Sequence, residues 1–135
     1  MNLVEVEHTC TIAAPFDTGL KLVRDVLLGA GLSISGEFDV SGTLNRGAGT
    51  FSTPSRILYV DSPLWLFEAL ALDRAAAVFL PLHVLVAANG AQTRVCWVKP
   101  ADIFGARLPS GAAVPVDELQ ARLAQALKPL NGGGL

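Results

Sequence analysis

Between Asp61 and Leu72 the sequence sets a demand that the rest of the chain must meet. Asp61-Ser62-Pro63 is a helix start, since Ser62 can accept from free first-turn amides and Pro63 suits the first helical position. The helix that follows carries Leu64, Trp65, Leu66, Phe67 and Leu70 around its circumference, broken only by Glu68. A helix apolar nearly all round must be buried on most sides or covered by a partner. Soon afterwards Val78 to Ala87 forms a second apolar run, read as a mostly buried strand. The two segments concentrate the apolar side chains on one buried or shared surface around residues 63–87.

Composition sharpens that demand. A chain of 135 residues is expected to form one domain, 1–135, with 131–135 a flexible tail. Of these residues 51% are hydrophobic and 16% charged, the reverse of the bias that disorder requires. A net charge of −2 without a basic run argues against a nucleic-acid footprint. The apolar stretch Ala75–Ala88 is shorter than the roughly 20 residues of a membrane span and is interrupted by Pro81 and His83. Glu5 and Glu7 stand where a signal peptide carries basic residues. The expectation is a cytoplasmic protein with no membrane contact, its Cys10 and Cys96 free thiols.

The remaining elements follow from periodicity. Val4, Val6, His8, Cys10 and Ile12 alternate on one face of a half-buried strand. Pro15-Phe16-Asp17 opens a helix whose stripe is Phe16, Leu20, Val23, Val26 and Leu27, stopped by Gly29 and Gly31. A second strand is expected from Leu32 to Thr43, with Ile34, Gly36, Phe38 and Val40 on one face. Ser33, Ser35, Glu37, Asp39 and Ser41 would then share the other face, and Asn45 to Gly49 would be a loop. Arg56–Val60 reads as the third strand, Val78–Ala87 as the fourth and Thr93–Lys99 as the fifth, with a hairpin turn at Asn89-Gly90. A last helix starts at Pro115, buries Leu119, Leu123, Ala126 and Leu127, and stops at Pro129. The order β-α-β-β-α-β-β-α defines an α+β class: a mainly antiparallel sheet of about five strands with helices packed on one face.

Glu37 and Asp39 are the leading candidates for chemistry. Two carboxylates at i and i+2 of a strand leave the same face, and close acids raise one another's pKa, as acid/base work or cation binding requires. The plainer alternative is a solvated face, or pairing with Arg56. Asp61 suits a helix N-terminus and would repel an anion there. His8, Cys10, His83 and Cys96 contain the residue types of a zinc site, but His-x-Cys is not a standard ligand spacing, so packing is favoured and no metal is expected. Trp65 and Phe67, with Tyr59, are candidates for lining an apolar ligand cavity or a dimer surface, with core packing the plainer alternative, and Arg56 joins them as a candidate ligand contact. No phosphate loop, dinucleotide fingerprint or nucleophile elbow is present, and no cofactor is expected.

The order of short motifs resembles a known family. Gly36-Glu37-Phe38-Asp39-Val40 and Thr43-Leu44 precede Arg56-Ile57-Leu58; then come the Pro63-led helix ending in Glu68-Ala69-Leu70, and Phe79-Leu80-Pro81 before a strand. From about Thr9 to Pro100 this resembles the bacterial and archaeal family numbered 302 among the domains of unknown function. The resemblance implies a small α+β domain, often dimeric, and no known activity. It also implies a cysteine, an asparagine and a proline where this chain has Asp61, Ser62 and Pro63, and a second cysteine where it has Leu82. Cys10 and Cys96 do not fill those positions, so a thiol or metal role does not carry over. The expected function is a non-enzymatic, small-ligand-binding or regulatory homodimer with an apolar or amphipathic ligand. The alternative is a small enzyme using Glu37 and Asp39.

Overall fold

The computed structural model describes residues 8–49, 53–72, 74, 80–98 and 110–131, the side chains of 110–114 and 116 excepted. Five strands form one sheet: β1 (His8–Ile12), β2 (Ser33–Asp39), β3 (Ser55–Asp61), β4 (Leu82–Asn89) and β5 (Gln92–Trp97). Their spatial order is β1-β5-β4-β3-β2, and every neighbouring pair is antiparallel. Four helices join them: α1 (Phe16–Gly29), α2 (Val40–Ala48), α3 (Pro63–Leu72) and α4 (Ser110–Leu127), the last followed by a 3₁₀ turn at Lys128–Leu130. The α+β class and the five-stranded antiparallel sheet are as the sequence implies.

The core lies on one face of this sheet. Ile12, Leu58, Val60, Val84, Val86 and Val95 point inward and are fully buried against Val23 and Leu27 of α1 and Leu119, Leu123 and Leu127 of α4. These helical residues recur at a spacing of four, which lines them up on one face of each helix. α1 ends as its glycines suggest. Gly31 adopts φ 82°, and the amides of Gly31 and Leu32 return to the carbonyls of Leu28 and Leu27 at 3.0 and 3.1 Å, closing the last turn. Within α1, Gly19 faces Thr93 of β5 so closely that a Cβ there would overlap the threonine side chain. Thr93 is itself buried and donates to the Ala14 carbonyl at 2.9 Å, fixing the start of α1 against the sheet.

Four local boundaries differ from the sequence pattern, each for a physical reason. The second strand stops at Asp39, not Thr43, because the Asp39 carboxylate caps a helix that occupies Val40–Ala48, in place of the expected strand end and of most of the Asn45–Gly49 loop. The fourth strand begins at Leu82, after Pro81, which has no amide to give to a ladder; Val78 and Phe79 lie outside the described residues. Asn89 pairs with Gln92, so the hairpin loop is Gly90-Ala91, with Gly90 at φ 61° as a primed turn requires. The last helix starts at Ser110, with Pro115 inside it. Pro115 has no amide to give to the preceding turn, and its ring crowds that turn's carbonyl.

Candidate functional site

At the β2 edge, Ile34 pairs with Val60 but Gly36 pairs with Tyr59, so Ser35 is an extra residue in the ladder. Such a bulge inverts the alternation beyond it. Glu37 therefore pairs with Leu58, and Asp39 with Arg56, both on the inner face beneath α1. The expected opposition of Ile34 to Glu37 and Asp39 is thus corrected: all three share the inner face, while Phe38 turns to the outer face. Glu37 and Asp39 do leave the same side of the strand.

Neither carboxylate is left for acid/base work by its partners. Arg24 of α1 donates to Glu37 through Nε at 2.7 Å and Nη2 at 2.5 Å, and Arg56 Nη1 adds a contact at 3.3 Å. The Arg24 hydrogen bonds, with help from Arg56, hold the Glu37 carboxyl below its ordinary range. Asp39 accepts from the Gly42 amide at 2.9 Å and the Ser41 hydroxyl at 3.0 Å, which lowers its pKa too. A general acid at neutral pH needs the opposite displacement. What this corner supplies is two fixed negative charges that tie β2 to α1, β3 and α2. Arg24 was not singled out in the sequence, and no local motif marks it; the pairing exists because the bulge turns Glu37 toward α1.

The apolar helix behaves differently on its two sides. Its first turn closes through a Leu66 amide bond to the Ser62 carbonyl at 2.8 Å, and Ala69 is fully buried. Trp65 turns toward α4, where its Nε1 donates to Glu118 at 2.7 Å and the Arg122 guanidinium lies 5.4 Å from its ring centre. Elsewhere on the helix Leu64, Phe67 and Leu72 are 61%, 72% and 63% exposed. Phe67, Leu70 and Ala71, with Arg74 beyond the helix end, line an open cleft of about 460 Å³. Of the four candidate ligand contacts, Phe67 alone lines this cleft. Leu70, Ala71 and Arg74 were missed; the available signal was a lone arginine two residues past an unusually apolar helix.

The other candidates lie apart. Tyr59 is on the outer sheet face, edge-on to His83 with ring centres 5.1 Å apart. The same face carries a cross-strand row of Phe38, Ile57, Leu85 and Cys96. Arg56 sits at the inner edge with Glu37, its Nε buried without a partner. His8 stacks on Trp97 at 5.9 Å on the inner face. His8 and Cys10 therefore face away from His83 and Cys96, which share the outer face. Among the described residues no group of three or more His, Cys, Asp or Glu is placed to hold a metal, and no helix is long and apolar enough to cross a membrane.

An antiparallel sheet with helices on one face, and an open apolar cleft against one helix, define a small two-layer α+β domain. The chain belongs to the family "Domain of unknown function DUF302", whose model matches residues 8–130. That span runs past the Thr9–Pro100 region that carries the resemblance in the sequence and takes in α4. The fold is similar to the crystal structure of an uncharacterized conserved protein DUF302 from Bacillus stearothermophilus. The two share a TM-score of 0.81 and 22% identity, over 91% of this chain and 96% of that one. No curated protein matches the chain at a significant level.

Proposed function

We propose that the protein is a non-catalytic domain that binds a small apolar or amphipathic ligand and acts as a cytoplasmic homodimer. The observation that carries this reading is the cleft beside α3: about 460 Å³ of space walled by Phe67, Leu70 and Ala71. Exposed Leu64, Phe67 and Leu72 on one helix are costly in water unless something covers them. The outer sheet face, with Phe38, Ile57, Leu85 and Cys96 in one row, offers a second copy a surface. Five strands about 4.8 Å apart and some 20 Å long give on the order of 500 Å² per face, or about 1,000 Å² for a pair. That reaches the lower limit of specific interfaces. The enzymatic alternative draws no support from Glu37 and Asp39, whose partners keep them ionised.

Native mass spectrometry of the protein as purified tests both parts. Twice the chain mass, with or without a retained small molecule, is the expected result. A monomer at micromolar concentration removes the dimer. A cleft whose amides stay unmoved by apolar and amphipathic probes in NMR titration removes the ligand.

A further inference from the structure

Resting on the ligand-binding reading above, we infer that the α3 cleft takes a carboxylate with an alkyl or aryl body, Arg74 holding the carboxylate. The wall is a single helical face: Phe67, Leu70 and Ala71 stand at i, i+3 and i+4, and the bulk of the surface they offer is hydrocarbon. Arg74 is the charged residue among the described lining, and it closes one end. It makes no ion pair or hydrogen bond with any described residue, whereas Arg24, Arg56 and Arg122 are all engaged. Glu68, the one acid on α3, is absent from the described lining. An apolar molecule without charge would leave the guanidinium idle, and a small anion without a body would leave Phe67 in water. A guanidinium presents a planar fork of donors that matches a carboxylate at two oxygens. The complementary ligand is therefore anionic at one end and apolar along the rest.

Three probes separate the possibilities: octanoate, 1-octanol with the same chain and no charge, and acetate with the charge and no chain. Each is titrated into the full chain, with affinities read from amide shifts of Leu64–Arg74. Octanoate is expected to bind roughly 1.5-fold to fivefold more tightly than 1-octanol, the scale of an exposed charge pair. The Arg74→Gln variant should bring the two to parity with 1-octanol unchanged, and Phe67→Ala should weaken both. Equal binding of octanoate and 1-octanol to the unaltered chain overturns the carboxylate assignment and leaves the cleft as a ligand site. Acetate as tight as octanoate overturns it as an adventitious ion only. A preference for octanoate that survives Arg74→Gln removes Arg74 from the site. Failure of octanoate and 1-octanol alike rejects the underlying ligand-binding reading.

Discussion

Arg24 on α1 holds Glu37 on β2 through one edge of its guanidinium, with Nε at 2.7 Å from one carboxylate oxygen and Nη2 at 2.5 Å from the other. β2 stands at the end of the strand order, with β3 as its ladder partner among the described residues, so this pair ties an end strand to the helical layer. Both side chains are about a third exposed or less, at 35% and 26%, so water screens part of the attraction.

Glu37→Gln is expected to lower stability by about 0.5–1 kcal/mol at pH 7. The folded pKa of Glu37 lies below its ordinary 4.5. Its contribution is therefore complete above that value and is lost as pH falls through the lower folded pKa. Urea midpoints of the two proteins should differ at pH 7 and converge under acid. A constant difference across that window would show that the side chain acts through packing instead.

Asp39 is expected to govern α2 alone. No residue described in Val40–Ala48 is buried, so the helix depends on its cap and not on a core face. Asp39→Ala should speed hydrogen exchange of the α2 amides while leaving those of β3 and β4 unchanged. Acid should have the same effect on the unaltered chain, since the lowered carboxyl pKa means the cap is lost as pH falls through it.

Gly19→Ala is expected to destabilise the fold by about 1–3 kcal/mol, against the usual gain of alanine in a helix. The added Cβ would overlap the buried Thr93 side chain, and neither α1 nor β5 can retreat without opening the core. Thermal denaturation should find the Gly19→Ala/Thr93→Ala double variant less damaged than the sum of its parts. Strict additivity would place the strain elsewhere.

The two thiols should react at very different rates. Cys10 is 2% exposed, and burial chiefly pushes its pKa up to about 11, whereas Cys96 is half-buried on the outer face. A disulfide-exchange reagent at pH 8 is expected to titrate Cys96 in the native protein and Cys10 only after unfolding. Loss of the fast phase in Cys96→Ala checks the assignment.

Much of this architecture is legible along the chain because it rests on local periodicity. The stripe of α1 through Leu20, Val23 and Leu27, the alternation of Cys10 and Ile12, and the stop at Gly31 all stand where their spacing puts them. The face of Glu37 was not legible. Alternation alone places it opposite Ile34, and nothing in Ser33-Ile34-Ser35-Gly36 announces that Ser35 drops out of the ladder, since a bulge is defined by the partner strand. The helix at Val40–Ala48 escaped for a related reason: its first residues read as the end of the strand and Asn45 to Gly49 as a loop until Asp39 turns inward and caps it.

The sequence by itself determined the element types outside Val40–Ala48, the mainly antiparallel sheet and the helical layer, because hydrophobic period and turn chemistry act over a few residues. It also located the apolar excess in the Pro63–Leu72 helix. Tertiary structure alone decided which side of that helix is filled. Trp65 and Ala69 are taken by α4 and the core, while Phe67 and its neighbours are left against an open cleft ending at Arg74. A helix apolar all round carries no marker of its inner face. That choice belongs to the long-range packing of α3 on α4 and the sheet.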